Sequence, residues 1–407
     1  MAIRIVPVLF SVAFLLAGGV TQAQNAGQNV PGAVQAPPLK PPSFPMLFPH
    51  PTNNNGYEEW VQAADLIQNN PKVQALFDQP DVPLTLKRQV IDDPVVAQAL
   101  QLVRIGANKP VFSPRTSLDE NTPLPELSSF RQLARLLSTE QYVDFADGRV
   151  DAAIGSLRVG LAFGYRIQTD SLISGLVGVA IDSIVLKEFS RHLDQLSVYH
   201  CNEVRRIVED FLDAENPAIH LLALEKSYAL KVLDARRSNP DGLLALMKTI
   251  GGPPAPDEDP NVATVQAYLT NHPGDANAVL DDARDRVSAL YNQTLLNLRL
   301  PLAQRKPLQI DQNNSPGAAL FRVITIDPQM VLDKYTRDQA QLRLLGVHVL
   351  IHRYRWDHNV LPGSLAEMRA ANLVHDASTG MEIVYQRDGD RYTLVSQDPI
   401  KRGAGGQ

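Results

Sequence analysis

The chain has 407 residues, of which 44% are hydrophobic. At about 100–200 residues per domain, this length allows two or three packed domains, and the composition excludes a wholly disordered or collagen-like protein. Acidic residues outnumber basic ones by 44 to 38, giving a formal net charge of −6, and no basic block is present, which excludes the charge pattern of a nucleic-acid-binding protein.

The N-terminus has the pattern of a secretory signal peptide. Arg4 is followed by an uncharged run from Ile5 to Val20, and a segment typical of signal peptidase sites ends at Ala23. We therefore predict an exported protein, periplasmic or extracellular, that is cleaved after Ala23. Because the apolar run is at the lower edge of the ~20 residues that span a bilayer, the alternative is an uncleaved anchor, which would be the only attachment to a membrane.

Residues 24–56 are predicted to be a proline-rich linker. Eight of the 30 prolines fall between Pro31 and Pro51. Proline lacks the backbone N–H that helices and strand ladders need. A segment so rich in proline is semi-rigid and extended, so it is predicted to separate the export signal from the folded part.

Residues 57–329 are predicted to form an α-helical domain, since apolar residues recur there at helical spacing. At its centre, two helices flank Gly148, which permits a tight turn between them. The spacing of Gly148, Ala153, Leu157 and Gly160 resembles the second half of a tetratricopeptide repeat. The sequence therefore predicts a mainly α fold built as a helical-hairpin, tetratricopeptide-like array.

The run from Leu172 to Leu186 is apolar on nearly every face, so it is predicted to be the central, buried helix of the domain. Asp182 interrupts this run. It is either a functional buried carboxylate or a carboxylate that lies near the helix edge or pairs with an arginine.

Residues 330–407 are predicted to form a separate small α+β module. A long helix reaches about Trp356, and two strands follow, over 381–386 and 391–396. Just before this module, residues 320–326 fit either a helix or a strand, because β-branched side chains are frequent there.

A β-hairpin is predicted from the pair Asp388-Gly389, which favours a two-residue turn. Counting outward from this pair places Tyr385 opposite Tyr392, and residue 383 opposite residue 394. The aromatic pair and the aliphatic pair then share one face of the hairpin.

Two resemblances follow from these segments. The stretches YRWDHNVLPGSLAEM and DASTGMEIVYQRDGDRYTLVS resemble the globular part of type II secretion pseudopilins, which implies a helix, a proline-containing turn and a small antiparallel sheet over roughly the last 70 residues. The chain after the signal, from NNGYEEWVQAADLI through GRVDAAIGSLRVGLAFG, also resembles a group of exported bacterial proteins of unassigned function. That resemblance implies export and no particular chemistry.

No nucleophile elbow, phosphate-binding loop or dinucleotide fingerprint is present, so we assign no catalytic residue and no cofactor. His348 and His352, one helical turn apart, are the candidates for a metal site. A zinc peptidase would need a glutamate directly after the first histidine, where this chain has Val349. Packing or capping by the two histidines is the alternative.

Two further groups of side chains have a functional and a structural interpretation. Cys201, the only cysteine, follows His200 and is either a thiol nucleophile or a buried, inert member of an apolar stripe. Tyr385, Tyr392 and Trp356 form either an exposed aromatic platform for a glycan or peptide, or the core between the small sheet and its helix.

The leading hypothesis is an exported, non-enzymatic binding or scaffold protein of the cell envelope, with a protein or peptide as partner and no nucleic acid. The alternative is a hydrolase or metal-dependent enzyme whose site brings together Asp182, His200, His348 and His352. A third hypothesis, an accessory component of a secretion or pilus-like machine, depends only on the pseudopilin resemblance. Convergence of the four residues in one pocket would favour an enzyme, whereas their dispersal would favour a binding protein.

Overall fold

The computed structural model describes residues 47–48, 52–79, 81–113, 115, 124–237, 242–243, 260–300, 304–306, 308, 313–368, 373–377 and 380–395. The predicted signal peptide, its cleavage site at Ala23 and most of the proline-rich linker lie outside these residues. Within them, the protein is mainly helical, with one two-stranded antiparallel sheet near the C-terminus. This confirms the predicted fold class at that level.

The helices and strands follow one another along the chain as α1 (Gly56–Gln68), α2 (Pro71–Phe77), α3 (Leu84–Ile91), α4 (Pro94–Ala107), α5 (Glu126–Ala146), α6 (Val150–Arg166), α7 (Leu172–Phe189), α8 (Val198–Asp213), α9 (Pro217–Arg237), α10 (Pro260–Asn271), α11 (Ala276–Arg299), α12 (Pro316–Ile324), α13 (Pro328–His358), β1 (Val384–Asp388) and β2 (Arg391–Val395). The segment that fitted either a helix or a strand is therefore helical up to Ile324.

Several helices begin at a polar side chain that accepts a hydrogen bond from an otherwise unpaired backbone N–H of the first turn. Asn55 caps α1, and Asp327 caps α13 just before a proline in its first turn. Ser171 forms a capping box with Ser174 at the start of α7. The helix starts are thus fixed by local chemistry that the sequence carries.

An aromatic cluster fills the core of the N-terminal half, where α1 packs against α4 and α5. The ring centroids of Trp60 and Phe163 are 4.6 Å apart, and those of Tyr57 and Phe130 are 5.4 Å apart. All four side chains are buried. Edge-to-face and tilted packing of this kind adds to the stabilisation that burial alone provides.

The predicted helical hairpin is confirmed as α5 and α6, and Gly148 between them has a φ of +75°. α7 then packs against both helices and is buried along most of its length, as its all-round apolarity predicted. The contact between α6 and α7 is close because glycines face it: a Cβ on Gly160 would collide with Val185.

α13 connects the C-terminal hairpin to the rest of the molecule. It packs along α8 and α7, and one buried cluster continues from Tyr57 to Ile383. The predicted module boundary at residue 330 falls in the first turn of this helix.

The β-hairpin forms where it was predicted, but the predicted register is wrong. Tyr385 lies opposite Leu394, and Tyr392 lies opposite Arg387, so the pairing has moved by two residues and the turn is Gly389-Asp390. Gly389 has a φ of +60° and Asp390 is not in the left-handed region; a turn with glycine in its first central position satisfies this. Because side chains alternate with period two, each one keeps its predicted face.

Candidate functional site

An open cleft of about 660 Å³ lies where the ends of α4 and α6 meet the start of α9. Its lining mixes polar and apolar surface, and its polar residues include Lys109, Tyr165, Arg166, Gln168, Glu215 and His220. Asn216, also in the lining, caps α9 by accepting a hydrogen bond from the Ala218 N–H at 2.9 Å.

Backbone contacts fix the walls of this cleft. Arg166 Nη1 donates to the Lys109 carbonyl at 2.9 Å, and the Tyr165 hydroxyl donates to the Glu215 carbonyl at 2.9 Å. The Lys109 ammonium is already engaged with Glu59 and with a backbone carbonyl. Arg166 is exposed and pairs with no carboxylate among the described residues, so its guanidinium is available to a ligand.

Gln168 connects the cleft with the protein interior. Its Nε2 donates to the Gly164 carbonyl at 3.1 Å, and its Oε1 accepts from the Tyr335 hydroxyl at 2.6 Å. Tyr335 is a buried residue of α13. A single amide therefore contacts both the cleft and the interface between α7 and α13.

Behind Gln168, two carboxyl groups are buried together. Asp182 of α7 is 5% exposed, and Asp338 of α13 is half-buried with its Oδ1 sealed from solvent. The Oδ1 atoms of both residues have no hydrogen-bond partner within the described ranges. Burial and the neighbouring Asp338 raise the pKa of Asp182 well above its usual range, and burial raises the pKa of Asp338 to about 7.

This environment differs from the one expected for Asp182. Of the two interpretations of Asp182, a carboxylate near the helix edge or paired with an arginine is wrong for the described part of the chain, and a functional buried carboxylate stays a hypothesis. The reason is steric: Asp182 points into the α6–α7 contact, where a Cβ on Gly164 would collide with its Oδ1. The charged group that acts on it is a second acid.

The two candidate metal ligands lie elsewhere, on α13, where His348 contacts the β-hairpin. His348 Nδ1 is 2.9 Å from the Tyr392 hydroxyl, and His352 Nε2 is 3.7 Å from Asp194 Oδ1. Burial lowers the pKa of His348 to about 4 and also lowers the pKa of His352. Among the described residues, no cluster of three or more histidine, cysteine, aspartate or glutamate side chains has the arrangement of a metal site.

Cys201 and His200 do not act on each other as a nucleophile and a base would. Cys201 is buried, and burial raises the pKa of its thiol to about 11, which leaves little thiolate at neutral pH. His200 completes a capping box with Ser197 at the start of α8, and its Nε2 is 3.3 Å from Asp151. Both side chains have structural contacts.

The aromatic residues of the C-terminal α+β module are divided between core and surface. Tyr392 contacts His348, and the Tyr385 hydroxyl donates to the Pro362 carbonyl at 2.8 Å. Trp356 is 59% exposed, although its Nε1 donates to the Leu196 carbonyl at 3.1 Å. The three rings therefore do not form one exposed platform.

The sequence analysis missed Asp338, Tyr335 and the cleft. A signal for Asp338 was present, because Tyr335, Asp338 and Leu342 are spaced three and four residues apart and so share one face of α13. The cleft had none, because it arises where the ends of three helices meet.

Comparison of this chain with known protein families, with curated proteins and with solved structures finds no match. The resemblances to pseudopilins and to exported proteins of unassigned function stay predictions. In the part of the chain that the structure describes, no helix combines the length and apolarity needed to cross a bilayer.

Proposed function

We propose that the protein is an exported, non-enzymatic binding protein of the cell envelope, which takes its ligand in the cleft beside Arg166. The observation that carries this proposal is the dispersal of the four residues an enzyme would have to bring together. Asp182 points into the α6–α7 contact, His200 caps α8, His348 contacts Tyr392 of the hairpin, and His352 faces Asp194. None of the four lines the cleft.

The chemistry of the cleft favours a peptide or protein segment as the ligand. Arg166 can donate two parallel hydrogen bonds to a carboxylate, and Glu215 offers a carboxylate to an ammonium or amide group. Asn108 and His220 add exposed polar groups at the rim. A mixed lining of this kind suits the alternating charges and amides of a polypeptide. In this proposal, the helical hairpins form an array, and the C-terminal α+β module serves to dock or cap that array.

Site-specific photo-crosslinking tests the location of the site. Benzoylphenylalanine placed at His220 is expected to crosslink an envelope component, and Arg166→Glu is expected to abolish that crosslink. The same group at Leu296, which is 65% exposed on α11, is the control. It is expected to crosslink none of the components that are crosslinked from position 220. Equal crosslinking from both positions, unaffected by Arg166→Glu, would contradict binding in the cleft.

One observation favours the hydrolase alternative. Asp182 and Asp338, both with a raised pKa, lie behind Gln168, whose amide lines the cleft. Paired acids of unequal protonation can act as general acid and general base. Ester, peptide and glycoside substrates with chromogenic leaving groups test it. Turnover that disappears in Asp182→Asn would replace the binding proposal with a hydrolase. Turnover that is absent, or equal in both proteins, would leave the binding proposal in place.

A further inference from the structure

The pairing of Asp182 with Asp338 raises a question of charge that is independent of the cleft. Two ionised carboxylates that are buried close together repel each other, and taking each one out of water costs several kcal/mol unless a cation or hydrogen-bond donors compensate it. Such a pair is therefore stable only when a cation, a proton or hydrogen-bond donors compensate it. The residues around the pair indicate which of these applies.

The groups that the structure places beside the pair are uncharged. The end of α6 contributes the Gly164 backbone and the Gln168 amide, and α13 contributes the Tyr335 phenol. Burial, and to a smaller extent Asp338 and Asp182, raise the pKa of that phenol.

Two arginines of α13 lie near Asp338 in the chain. Arg337, next to Asp338 in the chain, is exposed. Arg343, further along α13, is acted on by Asp376 and by Asp213 at the end of α8. From α9, Leu221 contacts this region, since its Cδ1 would collide with a Cβ on Gly175 beside Tyr335. No lysine, arginine or histidine pairs with Asp182 or Asp338 in the described ranges.

We propose that Asp182 and Asp338 form a proton-binding site that holds α13 on α7 and weakens this contact when the pH rises. A single proton removes the repulsion between the two carboxylates. It also turns one of the two oxygens that lack a partner from an acceptor into a donor. Loss of that proton leaves two like charges in the interface, and separation of α13 from α7 is the motion that relieves them.

The pH window follows from linkage. Both acids have a higher pKa in the folded protein than in the unfolded chain. At a pH between the unfolded and folded pKa values, the folded state therefore binds more protons than the unfolded chain. Stability is lost as the pH rises towards and through about 7. Because Tyr335 also donates a hydrogen bond to Gln168, loss of the proton is expected to change the wall of the cleft as well.

Urea unfolding of the mature protein at pH 6 and pH 8.5 tests this proposal. The folding equilibrium constant of the wild type is expected to fall at least ~tenfold more over this range than that of Asp182→Asn or Asp338→Asn. Each asparagine variant mimics the half-protonated pair, so both are expected to be more stable than the wild type at pH 8.5. Asp65→Asn, at an exposed position, is the control and should follow the wild type.

Hydrogen exchange provides the second measurement. Amides over residues 332–345 of α13 are expected to lose protection at pH 8.5 in the wild type, after correction for intrinsic exchange, and to keep it in Asp182→Asn. Equal pH dependence in all proteins, or destabilisation of both asparagine variants at pH 8.5, would overturn the proposal. A rise in wild-type stability on adding Ca²⁺, Mg²⁺ or Na⁺ at pH 8.5 that is absent in Asp182→Asn would also overturn it, by showing that the pair holds a cation.

Discussion

Glu126 in the N-terminal core and Asp182 at the contact between α7 and α13 are both buried carboxyl groups, but they differ in what compensates their charge. Glu126 Oε1 is 2.7 Å from Arg115 Nη1 and accepts a hydrogen bond from the Tyr57 hydroxyl at 2.8 Å. Asp182 has another acid as its charged neighbour. Arginine stays charged over the whole pH range of a folded protein, so the first arrangement is permanent, whereas a proton can leave the second.

The buried face of α13 extends this contrast. Burial favours the neutral forms of both Asp338 and His348, which raises the pKa of the acid and lowers that of the histidine. The N-terminal half instead connects its helices through fixed charges, as in the ion pair of Arg104 with Glu140 at 2.5 Å. The contacts of α13 should therefore contribute to the pH dependence of stability.

The largest effect that this comparison predicts is for Glu126→Leu. The substitution leaves Arg115 and Tyr57 without their buried acceptor, and breaking a buried ion pair from one side costs about 3–5 kcal/mol. The free energy of unfolding in urea at pH 7 measures the loss. Glu209→Leu is the control, because it removes a partly exposed pair with Arg205 and should cost less than about 1 kcal/mol. Equal losses of unfolding free energy for the two variants would show that the buried Arg115–Glu126 pair contributes no more to stability than the partly exposed Arg205–Glu209 pair.

A second prediction concerns acid. The folded protein keeps His348 neutral down to a pH of about 4, whereas an unfolded histidine takes up a proton below about 6.5. Stability is therefore lost as the pH falls through this range, by about 3 kcal/mol from this group. His348→Gln, which can still hydrogen-bond with Tyr392, should lack this contribution.

The measurement for His348 is the difference between wild type and variant at pH 7 and pH 4.5, since the Asp182–Asp338 pair changes stability in the opposite sense over that range. The difference should shrink as the pH falls. A difference that stays constant would show that His348 accepts a proton in the folded protein, and that α13 is less sensitive to acid than its burial indicates.

Local features of the sequence predicted much of the fold, because they act over a few residues. The all-round apolarity of 172–186 predicted the burial of α7, and Gly148 predicted the turn before α6. The Asp388-Gly389 pair predicted a hairpin but not its register, since glycine serves equally well in the first or second central position of a two-residue turn. Turn chemistry alone cannot choose between two registers that leave each side chain on the same face.

The pairing of Asp182 with Asp338 could not be predicted in the same way. It depends on the packing of α13 against α7, two helices that are far apart in the chain, and each acid taken alone is an ordinary polar residue in a helical pattern. The cleft depends likewise on how three helix ends meet. Long-range packing of this kind leaves no local pattern in the sequence.

The smallest predicted effect compares two buried tyrosines and sharpens the distinction between partnered and unpartnered polar groups. The Tyr57 hydroxyl donates to Glu126, whereas the Tyr291 hydroxyl on α11 is buried with no hydrogen-bond partner among the described residues. Tyr57→Phe should cost about 2 kcal/mol, the contribution of a hydrogen bond to a charged group. Tyr291→Phe should be neutral or slightly stabilising, because it removes a polar group that gains nothing from burial. Urea unfolding at pH 7 measures both. A comparable loss for Tyr291→Phe would mean that a buried water satisfies its hydroxyl, and that Tyr291 is compensated in the interior as Tyr57 is.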